Sequence, residues 1–271
     1  MKRVIGTICI FIMVLLLVGC GKERMPIFTT DAERFKYEYE SVNGTRDDNG
    51  MKARTLTVPS NNSVIYASYS EIIDLMEQGD SFAVYFGFAK CPWCRACLEA
   101  ILESAAECAV SPLYYVDVHT SRDTYELKNG KAVKTEEGEE GYARLLPKFE
   151  NVLSDYIIYD ADENEIQTGE KRIYAPNLII VKDGTAVKLA DDNGLLDNPY
   201  GDVTEEVYQK MKKIYTDAFL MNCPKLRWQP WGVCSPISAR RSSRTQCTPC
   251  SGSAVYPQRH PEHLKTSISH C

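Results

Sequence analysis

Residues 81–88, SFAVYFGF, contain no charged side chain. A run this short and this apolar fits a strand covered on both faces, not one that alternates between core and solvent. It leads within three residues into CPWCRACLEAI, where cysteines stand at positions 91, 94 and 97. Beyond them Cys94, Cys97, Leu98, Ile101, Leu102 and Ala105 recur at helical spacing, so buried strand gives way to amphipathic helix almost at once. Cys91 then stands at the helix start, and Pro92 at its first position, where the missing N–H costs nothing. A central strand needs strands beside it and helices over both faces, and that requirement limits the fold more than any other feature of the chain.

The remaining patterns supply those partners. VIYAS, from residue 64, reads as a strand, and Ser68 with Glu71 forms a capping box for a helix carrying Ile72, Ile73, Leu75 and Met76 and stopping at Gly79. LYYVDV, from residue 113, is another buried-type strand. A long excursion from His119 to Arg172 is charged over KNGKAVKTEEGEE and is predicted helical from Gly141 to Leu153. IYAPNLIIVKDGTAVKLA reads as strand, Asp-Gly turn and strand. Asp202 with Glu205 caps a last helix through Tyr215, with Val203, Val207, Met211 and Ile214 on one face. The order is that of an α/β fold.

The start of the chain is of another kind. MKRVIGTICIFIMVLLLVGC has Lys2 and Arg3 before an apolar run too short for a comfortable membrane span but suited to a signal peptide. Its end, Leu17-Val18-Gly19-Cys20, resembles the lipobox of bacterial lipoproteins. That resemblance implies cleavage after residue 19, lipid on the Cys20 sulfur and a membrane-tethered protein on the outer, extracytoplasmic face of the cell membrane, where disulfide chemistry is permitted. Residues 20–62 are polar and charged, which predicts a tether with one helical patch from Ala32 to Glu40 and order beginning near Ser63. With a formal net charge of −6 over 271 residues, nucleic acid is not an expected partner. From residue 221 the chain turns Cys-, Ser- and Arg-rich. Cys247, Cys250, His260 and His263 offer a zinc-like set at a short gap, WQPWGVCS with RRSSRTQC faintly resembles a thrombospondin type 1 repeat, and the preferred reading is a disordered extension without a core.

CPWC at a strand-to-helix junction, with a lone proline opening a later strand, resembles the thioredoxin superfamily. More narrowly, FKYEYESVNG, FGFAKCPWCR and LIIVKDG resemble the thioredoxin-like lipoproteins of Gram-positive bacteria labelled bacteriocin transport accessory proteins. The resemblance implies a thioredoxin-like fold over residues 63–220, a central mixed sheet flanked by helices. It implies Cys91 as nucleophile, Cys94 as resolving cysteine, and Pro176 as the proline whose preceding bond, from Ala175, is cis and faces the dithiol. It departs from thioredoxin in Tyr85, where a buried aspartate is usual, in Glu99 in place of a helix-kinking proline, and in the longer excursion before Pro176.

The chemistry follows from position. A thiolate is the attacking species, and a helix N-terminus aims unpaired N–H groups and a positive dipole end at the Cys91 sulfur. Cys94, one turn deeper, reaches the mixed disulfide and releases the product. Pro92 and Trp93 form an exposed apolar collar for a substrate segment, and Ala175 with Pro176 offers backbone groups for strand-like pairing. No cofactor and no metal is expected: Cys91, Cys94 and Cys97 lack a fourth ligand at zinc spacing. Cys97 and Cys108 read as small buried hydrophobes, with Cys97 as a second resolving thiol the alternative. His119 reads as a strand-end residue. The expected activity is that of a protein thiol–disulfide oxidoreductase, leaning reductase or isomerase, with exported protein substrates and a membrane electron donor as partners. A non-catalytic binding module for an exporter or client is the alternative.

Overall fold

In the computed structural model, which describes residues 26–192 and 194–221, the compact unit begins at Asp31. It runs α1 (Asp31–Ser41), β1 (Val64–Tyr66), α2 (Tyr69–Glu77), β2 (Phe82–Gly87), α3 (Pro92–Glu107), β3 (Leu113–Asp117), β4 (Thr124–Lys128) and β5 (Lys131–Glu136). Then come α4 (Glu140–Phe149), β6 (Ser154–Tyr159), β7 (Glu165–Arg172), β8 (Asn177–Lys182), β9 (Thr185–Ala190) and α5 (Glu205–Met221). Cys20, the signal peptide and the segment Asn222–Cys271, with Cys247, Cys250, His260 and His263, lie outside the described residues. Among the described residues no helix is long and apolar enough to cross a membrane.

One sheet has the strand order β1-β3-β2-β8-β9. β3 pairs parallel with both β1 and β2, while β8 runs antiparallel to β2 and β9 antiparallel to β8. Every residue of β2 is buried, as its uninterrupted apolar sequence requires. Its side chains alternate between two cores. Ala83 and Tyr85 pack with Phe35 of α1, Leu98 and Ile101 of α3, and Met211 and Phe219 of α5. Phe82, Val84 and Phe86 pack with Ile72 and Ile73 of α2 and Leu145 and Phe149 of α4. The result is the expected α/β arrangement of a mixed sheet with helices on either side.

The capping box is present: the Ser68 hydroxyl accepts from the Glu71 backbone and the Glu71 carboxylate from the Ser68 backbone. The β8–β9 turn sits on Asp183 and Gly184, both at positive φ, the geometry a two-residue Asp-Gly hairpin favours. At the last helix the cap differs from expectation. Thr204 Oγ1, not Asp202, accepts the first-turn amide, from Val207 at 3.3 Å, and the helix continues past Tyr215 to Met221 because Ala218 and Phe219 are still buried against α3 and the sheet.

Two expectations need correction. The excursion is more than one helix in a charged loop: β4–β5 and β6–β7 are antiparallel hairpins on either side of α4. And order does not begin near Ser63. The segment read as a tether carries α1, whose Phe35 and Tyr39, four residues apart on one face, are fully buried together with Leu56 and Val58. Phe35 lies edge-on to Tyr115 of β3 with ring centroids 4.9 Å apart, and the Asp31 carboxylate accepts the Tyr66 amide of β1 at 3.0 Å. A single pair of aromatic rings at helical spacing outweighs the charge around it, since each ring buries a large apolar area.

Candidate active site

The antiparallel register of β2 and β8 builds the site. Phe86 lies opposite Asn177, so the residues just before β8 come alongside the chain just leaving β2. Phe88 turns it with its carbonyl accepting the Cys91 amide at 3.1 Å. Cys91 caps α3, with Pro92 in the first turn. Its Sγ accepts the Cys94 backbone N–H at 3.3 Å and donates to the Ala175 carbonyl at 3.4 Å. The amide favours a charged sulfur and the carbonyl a protonated one. The Ala175–Pro176 peptide bond is cis. Asn177, a residue the sequence reading did not single out, pins this turn: its Oδ1 accepts the Tyr174 amide at 2.8 Å and its Nδ2 donates to the Pro176 carbonyl at 2.9 Å.

Cys91, Cys94, Pro92, Trp93, Ala175 and Pro176 are thus brought to one end of the sheet, but the collar is not exposed. Cys91 and Cys94 are fully buried, Ala175 and Pro176 are buried, and Pro92 and Trp93 are half-buried. Trp93 packs against both cores, which draws it inward. His119 is exposed beyond the end of β3 and its ring lies 4.6 Å from that of Phe88.

Cys97 points away from the pair, its Sγ 3.9 Å from Met211 Sδ, and burial pushes its thiol well up from the usual range. Among the described residues no three His, Cys, Asp or Glu side chains converge as a metal ion would require.

Arg95 escaped the sequence reading, and Tyr85 entered it without a role. Arg95, next to Cys94, is buried; its guanidinium donates to the carbonyls of Tyr39 at 2.8 Å and Ala89 at 3.0 Å, and also to the Arg54 carbonyl and Asn43 Oδ1. It ties α1 and the chain after it to the helix that carries both cysteines. Tyr85, noted in sequence only as a departure, lies beneath Gly87: a Cβ on that glycine would stand 2.6 Å from the Tyr85 hydroxyl and 3.1 Å from Cys94 Sγ. Tyr85 and Tyr39 hydroxyls are 3.2 Å apart. Burial holds both phenols well above their usual range, so both stay protonated.

No family model matches the sequence, and no curated protein matches it. Among solved structures, thioredoxin O1 of Arabidopsis thaliana in the oxidised state is similar at 18% identity, covering 57% of this chain and 99% of that one, with a TM-score of 0.29. Thioredoxin O2 of the same plant, also oxidised, is similar at 16% identity over 57% of this chain and 96% of that one, again with a TM-score of 0.29.

Proposed function

We propose that this protein is a thiol–disulfide oxidoreductase that acts on exported proteins through Cys91 and Cys94, tethered to the outer face of a membrane by lipid on Cys20. The observation that carries the reading is the pair itself: Cys91 Sγ caps a helix, takes the Cys94 amide and lies beside the Ala175 carbonyl. A sulfur at a helix N-terminus is stabilised as thiolate by the dipole and the unpaired amides. It attacks one sulfur of a substrate disulfide, forms a mixed disulfide and expels the other sulfur as a thiolate. Cys94 then attacks Cys91 Sγ and releases the second substrate thiol. The substrate is reduced by two electrons, the Cys91–Cys94 pair is oxidised, and a membrane thiol donor restores it.

Pro92 and Trp93 would hold an apolar substrate segment, and the backbone at Ala175 and Pro176 would pair with it as an added strand. Because Cys91 is covered, entry of a substrate sulfur involves local opening around the helix start. The direction proposed is reduction or isomerisation. The link to bacteriocin export belongs to the proposal in its narrowest form.

Replacing Cys94 with Ala tests this reading. The variant is expected to accumulate covalent mixed disulfides through Cys91, visible as reductant-sensitive adducts on non-reducing gels. Wild type should not accumulate them, nor should a variant with Cys91 also replaced. A protein that gives no adducts in any form is a binding module instead.

A further inference from the structure

The resolving step leaves a difficulty. Cys94 must carry negative charge to attack, yet its sulfur is buried and a buried charge needs a partner. The fully buried carboxylate among the described residues, Asp123, is engaged elsewhere, by the Arg172 guanidinium at 3.4 Å. Arg95 directs its N–H groups at carbonyls of α1 and its neighbours and at Asn43.

We propose that the Tyr85 hydroxyl is that partner: held by Tyr39 of α1, it donates a hydrogen bond to Cys94 Sγ as this sulfur becomes a thiolate. The proposal rests on the dithiol chemistry above. Three observations converge on it. The Tyr85 oxygen and Cys94 Sγ border the same small space, kept open because residue 87 is glycine. The Tyr39 hydroxyl, 3.2 Å from that of Tyr85, can supply the hydrogen the Tyr85 oxygen accepts, leaving the Tyr85 proton for sulfur. Tyr115 closes the far side, its ring 5.5 Å from that of Tyr85 and its hydroxyl donating to the Gly87 carbonyl at 3.2 Å.

The step balances without a buried base. In the mixed disulfide, Cys94 gives its proton to solvent water as the site opens and attacks Cys91 Sγ. The Cys91–Cys94 bond forms, the bond from Cys91 to the substrate sulfur breaks, and that departing thiolate takes up a proton from solvent, so that no proton is gained or lost overall. Tyr85 keeps its own proton throughout, as a phenol too weakly acidic to give it up and too weakly basic to accept another. The titratable groups around Cys94 are Cys91, whose Sγ takes its amide, Tyr85 of β2 and Tyr39 of α1, with Cys97 of the same helix acting only through its charge.

Rapid-quench kinetics on the full chain test this. The reduced protein is mixed with a small aromatic disulfide, trapped with acid and alkylated, and the peptide holding Cys91 and Cys94 is weighed, so that other cysteines do not contribute. Formation of the Cys91 adduct reports attack, and its decay reports resolution. In Tyr85→Phe, formation is expected to stay within about twofold while decay slows about tenfold or more, the usual effect of losing a hydrogen bond to a charged group. The pH profile of the decay should shift to higher pH, because a less stabilised thiolate forms later. Tyr39→Phe should slow decay in the same direction by less, and it guards against a Tyr85 variant that fails to fold. Unchanged decay and pH profile in folded variants overturn the role of Tyr85 alone. A wild type that never forms and resolves a Cys91 adduct overturns the dithiol reading and this inference with it.

Discussion

A guanidinium in the body of a protein without a carboxylate beside it must find its acceptors among carbonyls. Arg95 does so, and burial pulls its pKa down from the usual arginine value without neutralising it. The planar fork suits acceptors spread around it; an ammonium would serve fewer of them. Arg95→Met, which keeps volume and removes the donors, is expected to destabilise the protein by roughly 2–4 kcal/mol through carbonyls left unpaired. Arg95→Lys should recover only part of this; chemical denaturation measures both. Neither Arg95 nor Asn177 could be found by pattern. An arginine one residue after Cys94 looks like a solvent-facing helix position until chain from another element is known to cover it. The two cysteines, by contrast, were legible, because helix start, proline and buried strand meet within a few residues and each implies the next.

At the level of elements, legibility followed the clarity of local signals. The strand before the cysteines, the capping box at Ser68 and the Asp-Gly hairpin of β8 and β9 rest on short-range rules and were read directly. The β4–β5 hairpin had the same kind of signal in Asn129 and Gly130, both at positive φ, but the charges on either side drew the reading toward a loop. For α1 the misleading feature was composition. Arg34, Glu38, Lys36 and Glu40 form i,i+4 ion pairs along its half-buried flanks, and in sequence they masked the two aromatic residues that dock it. Phe35→Ala is therefore expected to cost about 3–5 kcal/mol, the range for emptying a well-packed aromatic site, where a residue in a solvated tether would cost almost nothing. Thermal or denaturant unfolding distinguishes these outcomes.

On the scale of the folded unit, the mixed sheet divides the interior into two cores, and the segment from Asp31 to Val58 belongs to one of them. The α/β class was legible because alternation of strand and helix patterns leaves few ways to cover a central strand. The boundary of the folded unit was not, because it depends on contacts between residues 31–58 and elements far along the chain. A chain shortened to begin at Ser63 loses Phe35, Tyr39, Leu56 and Val58 from the core and the acceptors of Arg95. It should show no cooperative transition by circular dichroism, whereas one beginning at Asp31 should unfold in a single step.

Gly87 gives this arrangement a narrow tolerance. The space over the Tyr85 phenol and Cys94 Sγ has no room for a side-chain carbon, and a Cβ on residue 87 would press first against the phenol. The spot is therefore a keyway cut for a single blank: the placement of phenol and sulfur depends on an atom the chain leaves out.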